Sequence, residues 1–325
     1  MRTFFLYLAC LMLAACASAQ TQYTLFDLGE SDVARVDAGG IGVGHVQNQA
    51  ALLTATEPPH RLGFLPQGTR SEARAADQGR VVGVSGTGQY SSITHAFVWK
   101  DGSMADQGTL GAPDLYSSLN GISGTLGVGT CETRLAFVAC VFDLASGGVQ
   151  ALPTLGGPEG RGMALNTKGA MVGVAQTGTG LWHATLWQAG AHIDMTPGAT
   201  ESLAMDINES GLVVGTQDRQ GFLWTKGGGL QVLSPFPGDG VSQLEAVNAA
   251  GVAVGSSRGE PKEPPAPMRA IRVLAGSTTP EDLNTLTTLP AGWHLQRASG
   301  ISAAGVIGGL GTVNGTEHAW LLIPR

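Results

Sequence analysis

Three histidines recur in one local setting and raise the question of a metal site. His95, His183 and His318 are each followed by alanine. Three imidazoles can bind zinc when they converge on one ion. These three occupy the same slot of a repeated unit, so a closed ring of such units would hold them apart. We therefore expect a structural role at the start of a strand, and we predict no metal and no cofactor.

A serine motif in the last third of the chain suggests a nucleophile. Residues 255–259 read Gly-Ser-Ser-Arg-Gly and fit the Gly-x-Ser-x-Gly pattern. A nucleophile elbow requires a helix directly after the serine. The segment 260–267 contains four prolines, which are incompatible with a regular helix. The sequence therefore predicts no catalytic serine, and we identify no other catalytic residue.

The N-terminus has the pattern of an export signal. Arg2 precedes an apolar run over residues 3–15, a combination typical of a secretory signal peptide. Small residues at 17–19 predict a signal peptide over 1–19, whereas residues 13–16 resemble a bacterial lipobox, with a signal over 1–15 and a lipidated Cys16. Both alternatives place the protein in the periplasm, at the cell surface or in the extracellular medium. Membrane contact is expected only through that lipid anchor.

Two of the four cysteines, Cys131 and Cys140, lie in the body of the chain. A close, isolated pair in an exported protein favours a disulfide. A metal or redox pair would need further cysteine or histidine residues nearby, and the sequence supplies none. We predict a disulfide between Cys131 and Cys140 within one repeat.

Composition narrows the class of protein. Charged residues make up 13% of the chain, against about 25% in typical proteins, and 49 of 325 residues are glycine. Such a composition favours strands and turns over long solvated helices. The net charge is −7 and no run of lysine or arginine occurs. Nucleic acid is therefore not an expected partner, because binding phosphates requires a concentrated positive face.

An internal repeat is the strongest signal in the sequence. The phrase Asn-x-x-Gly-x-Val-Val-Gly recurs with close matches at 166–173, 208–215 and 248–255. The unit measures about forty residues, the length of a four-stranded propeller blade. Degenerate copies bring the total to seven, and they end at Gly44, Gly83, Gly129 and Gly309. Asn and Gly suit tight reversals between the short apolar runs, which we interpret as strands.

The two ends of the chain complement each other. Residues 23–29 resemble the fourth strand of a unit without the rest of it, and the last unit stops after its third strand near Ile323. We expect these ends to pair, so that an all-β, seven-bladed β-propeller occupies residues 23–325 as a single domain. Such closure leaves no long open edge. A β-solenoid or an irregular repeat array is the alternative.

These phrases resemble those of the bacterial extracellular HAF-repeat family, named for a His-Ala-Phe motif. His95, Ala96 and Phe97 are the full match, and His183 and His318 begin related phrases. The resemblance extends over nearly the whole mature chain. It implies an exported, propeller-like repeat protein, and it supplies no catalytic residues.

In a ring of antiparallel blades, the loops from the second to the third strand and from one blade to the next emerge on one face. These loops vary most in this sequence, and exposed aromatic and charged residues on such loops are typical of recognition sites. The candidate binding residues on this face are Tyr90, Tyr116, Arg161, Arg258, Lys262, Trp293 and His294.

The function that these observations favour is an exported, monomeric scaffold that binds an envelope protein or a glycan. The alternative is a propeller-type hydrolase or lyase acting on extracellular polysaccharide. Carboxylate pairs that cleave glycosides leave no local motif when they come from separate blades. A cluster of carboxylates with a histidine at the channel mouth would favour the enzyme.

Overall fold

The computed structural model describes residues 23–88, 93–259 and 267–325. The predicted signal peptide, Cys16, Tyr90 and Lys262 lie outside these residues. Within them the chain forms seven four-stranded antiparallel sheets. The strands are β1 (Tyr23–Asp27), β2 (Ser31–Val36), β3 (Gly42–Val46), β4 (Gln49–Leu53), β5 (His60–Arg61), β6 (Ser71–Asp77), β7 (Arg80–Gly86), β8 (Thr94–Lys100), β9 (Ser103–Asp106), β10 (Ser117–Ser123), β11 (Leu126–Glu132), β12 (Phe137–Asp143), β13 (Gly148–Ala151), β14 (Gly156–Leu165), β15 (Met171–Thr177), β16 (Trp182–Gln188), β17 (Ala191–Asp194), β18 (Ser202–Ile207), β19 (Val213–Gln217), β20 (Gln220–Thr225), β21 (Gly229–Val232), β22 (Asp239–Val247), β23 (Ala253–Gly259), β24 (Arg269–Val273), β25 (Pro280–Asp282), β26 (Trp293–Ile301), β27 (Ile307–Val313) and β28 (Thr316–Pro324).

The sheets are the seven blades of a β-propeller, as predicted. Blades 1 to 6 are β2–β5, β6–β9, β10–β13, β14–β17, β18–β21 and β22–β25, and blade 7 joins β26–β28 to β1. A single turn of 3-10 helix, Leu283–Thr285, follows blade 6. No helix in the described part of the chain is long and apolar enough to cross a membrane.

The ring closes through its two ends. Strand β1 pairs antiparallel with β28, with Tyr23 opposite Pro324 and Asp27 opposite Trp320. The Tyr23 side chain is 4% exposed, and its hydroxyl accepts a hydrogen bond from Nη1 of Arg272 in blade 6 at 2.9 Å. The prediction of closure is confirmed and the solenoid alternative is wrong, because a solenoid does not pair its first strand with its last.

A bulge in each inner strand explains the glycine that ends each repeat. In every blade the first strand shifts register against the second beside this glycine, so that one residue there is left without a partner, and blades 4, 6 and 7 have a second shift nearer the start of the strand. A Cβ added at the facing glycine would lie 1.8 to 2.1 Å from a carbonyl oxygen of the bulged strand. Only glycine fits there. The glycines are Gly44, Gly83, Gly129, Gly173, Gly215, Gly255 and Gly309.

The asparagines of the repeat link successive blades. Nδ2 of Asn166 donates to the carbonyl oxygen of Asn208 at 3.1 Å, and Nδ2 of Asn208 donates to that of Asn248 at 2.9 Å. Left-handed backbone geometry belongs to the glycine three residues later, with φ of 72° at Gly169 and 85° at Gly211. The asparagine therefore serves the repeat through the hydrogen bonds of its side chain and not through its backbone geometry.

The core lies between adjacent blades. Phe97 of blade 2 is fully buried in a cluster with Val43 and Ala50 of blade 1. Ala96, Ala184 and Ala319 begin the third strands of their blades and are also fully buried, so a larger side chain has no room there. Burial between sheets accounts for the Ala and Phe of the His-Ala-Phe phrase.

The described cysteines form the predicted disulfide. Cys131 of β11 and Cys140 of β12 are bonded, with their Cα atoms 6.0 Å apart. The bond crosses the hairpin of blade 3 and both residues are fully buried. It restrains the connection between β11 and β12.

The two faces of the ring carry different connections. The loops from the second to the third strand of a blade and from one blade to the next emerge on the upper face. The turns from the first to the second strand and from the third to the fourth emerge on the lower face. Each inner strand therefore begins at the upper face and ends at the lower face.

Candidate functional site

The seven bulge residues converge on the central channel. Each is the residue that its inner strand leaves unpartnered beside the repeat-ending glycine, and all seven line one cavity of about 560 Å³, here called the channel-mouth cavity. The cavity lies at the upper face, since residues at the start of the inner strands, such as Asp32 and Ser118, also line it. The bulge residues are Ala34, Arg74, Asn120, Met163, Met205, Glu245 and Ser299.

An ion pair forms the floor of this cavity. Arg35 of blade 1 reaches across the ring to blade 5, where its Nη1 lies 2.9 Å from Oδ1 of Asp206. Its Nη2 donates to the carbonyl oxygen of Met205 at 2.8 Å. Arg35 also lines a second cavity of about 270 Å³ at the lower face. The pair therefore separates the two mouths of the channel.

Charged groups on the wall form local pairs. Arg74 Nε lies 3.0 Å from Oε1 of Glu72, and its Nη1 donates to Oδ1 of Asn120 at 2.8 Å. Oε2 of Glu245 lies 3.4 Å from Nε of Arg297. Glu245 is 7% exposed, and burial raises the pKa of its carboxyl even though Arg297 acts in the opposite direction.

Two residues that line the cavity carry a buried polar atom without a hydrogen-bond partner. Oδ1 of Asp32 and Oγ of Ser118 are buried and make no hydrogen bond to any described residue. Such atoms are uncommon in folded proteins, because leaving one unpaired costs about 1–3 kcal/mol. Asp32 and Ser118 therefore mark the part of the cavity wall where polar groups have the fewest protein partners.

Apolar groups form one side of the rim. The rings of Tyr116 and Phe137 pack edge to face with centroids 5.6 Å apart, and both line the cavity. Leu135, at the tip of the β11–β12 connection, is 96% exposed. Met163 and Met205 add flexible thioethers to the wall. Methionine suits binding surfaces that adapt to a ligand, because its side chain is unbranched and polarisable.

Two flanking grooves adjoin the cavity on the upper face. The first groove, of about 360 Å³, crosses blade 2 and shares Glu72, Arg74 and Tyr116 with the cavity. The second groove, of about 260 Å³, lies between blades 4 and 5 and shares Arg161 with it. The guanidinium of Arg161 lies over the Trp182 ring, 5.7 Å from its centroid.

The structure brings together two of the binding residues suggested by the sequence. Tyr116 and Arg161 both line the channel-mouth cavity. Trp293 instead packs edge-on against His318, with centroids 5.9 Å apart, and Nε2 of His294 lies 2.8 Å from the carbonyl oxygen of Met268. Arg258, exposed at the end of β23, is likewise not among the residues that line the cavity.

None of the bulge residues was predicted from the sequence as a binding residue. A positional signal for them existed, because Met163, Met205 and Glu245 each stand three residues before a repeat asparagine. That slot varies from unit to unit while its neighbours repeat. A position that varies within an otherwise regular unit gives each blade a different side chain in the channel wall.

The recurrent histidines do not converge. Nδ1 of His95 lies 2.7 Å from Oδ2 of Asp106, and Nδ1 of His183 lies 2.7 Å from Oδ2 of Asp194. Each pair joins the third and fourth strands of its own blade. Among residues 23–88, 93–259 and 267–325, no three His, Cys, Asp or Glu side chains are placed to hold a metal ion.

Comparisons with known proteins place the chain by fold. No family model matches the sequence, so the resemblance to the HAF-repeat family stays a prediction. No curated protein matches it either.

Similar solved structures include YCF48 bound to D1 peptide, at 12% identity and a TM-score of 0.55, covering 92% of this chain and 94% of that one. The extracellular domain of BT4673 from B. thetaiotaomicron matches at 10% identity and a TM-score of 0.54, over 92% of this chain and 40% of that one. TolB from Acinetobacter baumannii matches at 11% identity and a TM-score of 0.47, over 87% of this chain and 63% of that one. The chain thus spans less than two thirds of the TolB and BT4673 chains. At these identities the matches with TM-scores above 0.5 show a shared β-propeller fold and nothing more specific.

Proposed function

We propose that this protein is an exported binding module without catalytic activity, and that it recognises a polypeptide of the cell envelope at the channel-mouth cavity. The observation that carries the proposal is the mixed lining of the channel-mouth cavity, where Asp32 and Ser118, each with a buried polar atom that has no partner, line the same space as Met163 and Met205. A ligand with both hydrogen-bonding and apolar groups satisfies this surface. A peptide combines the two in every residue with an apolar side chain.

The aromatic groups favour a polypeptide over a glycan. A sugar ring binds best on an open aromatic face, but Tyr116 and Phe137 pack against each other and Arg161 covers Trp182. The most exposed apolar group on this connection is the aliphatic Leu135, at 96%, whereas Phe137 is 39% exposed. An aliphatic side chain gains most from contact with another apolar side chain. The similarly folded YCF48 is bound to a peptide, which agrees with a peptide as the ligand class.

Peptide selection with matched variants tests the proposal. Peptides selected from a random library on the intact protein are expected to bind Leu135→Asp at least about tenfold more weakly, a change of about 1.4 kcal/mol. Leu274 is 43% exposed on the lower-face turn between β24 and β25, so Leu274→Asp serves as the control. A glycan array run in parallel addresses the other ligand class. Equal binding by both variants, or binding of glycans alone, would contradict the proposal.

One observation favours the enzyme as a second candidate. Glu245 has a raised pKa and Asp32, whose charge acts on it, lines the same cavity. Two carboxyl groups from different blades at one cavity are the kind of pair with which glycosidases supply a general acid and a nucleophile or base. His45 lies near this pair, with Nδ1 4.0 Å from Oδ2 of Asp32.

Cleavage of envelope and extracellular polysaccharides by the purified protein tests this candidate. If the protein is a hydrolase or lyase, Glu245→Gln abolishes product formation. The exposed residue Glu317 in β28 provides a matched control, Glu317→Gln. Absence of product from the unmodified protein across the substrate panel would exclude it.

A further inference from the structure

We infer that the bound polypeptide is an extended segment that crosses the upper face from blade 2 to blade 5. This inference rests on the proposed function and specifies its ligand. The channel-mouth cavity does not stand alone, because it shares Glu72, Arg74 and Tyr116 with the first groove and Arg161 with the second. The three spaces adjoin one another, with the cavity at the centre, and are here together called the trough.

The dimensions of the trough set a minimum length for the segment. The first groove extends outward over β6, β7 and β8, from Glu72 through Val84 to Thr94. The second extends over β14, β15 and β16, from Arg161 through Val174 to Trp182. Three neighbouring strands span about 10 Å. The two grooves together therefore measure about 20 Å. A chain that crosses both needs at least about six residues at about 3.3 Å each.

The chemistry changes along the trough. Exposed arginines, Arg70 in the first groove and Arg161 in the second, make no ion pair with any described residue. Each can bind a carboxylate or a backbone carbonyl of the segment. The centre is lined by Met163 and Met205. This order fits a segment with polar or acidic residues toward both ends and an apolar residue between them.

The second groove also holds an acid, Glu201, which is exposed beside Trp182. Arg161 therefore faces both the segment and a carboxylate lining the same groove. A strongly acidic ligand gains no overall attraction from this mixture, so shape and apolar contact determine most of the affinity. We expect binding to change less than about tenfold between low and physiological salt.

Calorimetry with a peptide selected from a twelve-residue library tests the inference. Peptides are selected on the intact protein from a random display library, and the best one is shortened from each end. We expect Kd to rise at least about tenfold when the peptide falls below about six residues. Arg70→Ala and Arg161→Ala are each expected to raise Kd about threefold to tenfold. Both side chains are exposed, so neither change is expected to affect folding. Arg258→Ala, on the same face outside the trough, should have no effect.

The outcomes separate this inference from the proposed function. If a four-residue peptide binds as tightly as the full one and both arginine variants bind normally, while Met163→Glu removes binding, the crossing segment is wrong and the channel-mouth site stands. If Met163→Glu and Leu135→Asp leave binding unchanged, the proposed site itself is wrong. A library that yields no binding peptide overturns both.

Discussion

Nδ1 of His318 lies 2.8 Å from Oδ1 of Asp27, so a side-chain pair joins the last strand of the chain to the first. The same pair recurs as His95 with Asp106 in blade 2 and as His183 with Asp194 in blade 4. In those blades the aspartate comes from the fourth strand. Asp27 therefore occupies the fourth-strand slot of blade 7, and the closing strand follows the rule of the other blades.

Removal of the closing strand is expected to destabilise the whole ring. A chain starting at residue 30 leaves β28 with an open edge and removes the buried side chain of Tyr23. We expect the free energy of unfolding to fall by at least about 3 kcal/mol, together with self-association through the edge. Urea denaturation and size-exclusion chromatography check this, with a chain starting at residue 23 as control. Equal stability of the two chains would show that closure contributes little.

The His95–Asp106 pair predicts a window of pH in which it stabilises the fold. The hydrogen bond to Asp106 raises the pKa of His95 above 6.5. Burial acts against ionisation of Asp106, yet the hydrogen bond from His95 leaves its pKa below 3.8. The stability from protonated His95 is present below about 6.5 and is lost as pH rises through its folded pKa. The stability from ionised Asp106 is present above about 3.8 and is lost as pH falls through its lower folded pKa.

Replacement of the aspartate tests this window. Asp106→Asn is expected to lower the free energy of unfolding at pH 5 by up to about 1 kcal/mol, and by less at pH 8, because Asp106 is partly exposed and solvent screens the pair. Urea denaturation at both pH values measures the difference. Asp101→Asn, at an exposed turn position, is the control. A loss of equal size at both pH values would rule out the ionic contribution.

Alanine at a repeat-ending glycine is expected to damage the bulge and the site together. In Gly173→Ala, the new Cβ would lie 2.0 Å from the carbonyl oxygen of Arg161. The inner strand must then move, at an expected cost of at least about 3 kcal/mol, and the neighbouring Met163 moves with it. Gly198 has no atom within 4 Å of its Cβ position, so Gly198→Ala is the control. Thermal denaturation and peptide binding should both distinguish the two variants.

Loss of the disulfide is expected to weaken peptide binding, because the hairpin at the rim of the cavity would no longer be restrained. Cys131 and Cys140 restrain the hairpin that carries Leu135 and Phe137. Replacing both cysteines with alanine should lower the free energy of unfolding by about 2–3 kcal/mol and raise the Kd of a selected peptide. The variant should no longer respond to dithiothreitol, whereas the parent protein should. Unchanged peptide affinity in the double variant would separate the hairpin from the binding site.

The sequence predicted the ring because each repeat carries its own local requirements. A carbonyl oxygen of the adjacent strand leaves no room for a side chain at Gly173. Asn166 makes hydrogen bonds within its turn and to the next blade. The glycine recurs in all seven units and the asparagine in three of them, which leaves a periodic pattern. Pairing of the two ends, near Tyr23 and His318, could be predicted for the same reason.

The site was less predictable because it depends on closure. Arg35 and Met205, the residue before Asp206, are 170 positions apart in the sequence, and only the ring brings Arg35 to them. Among the loop residues, Trp293 looked available for binding but packs against His318. An aromatic residue at the start of an inner strand can turn either to solvent or between blades, and no local pattern determines which. The bulge slot is recognisable only after the strands have been aligned in three dimensions.

The Arg35–Asp206 pair makes the upper half of the channel a blind well. The pair lies between the upper and lower cavities, so we expect a bound chain to dissociate from the side on which it arrived. Release and capture then compete for the same opening, and a second ligand cannot displace the first from behind. The lower face is left free to rest against another surface without obstructing exchange at the upper one.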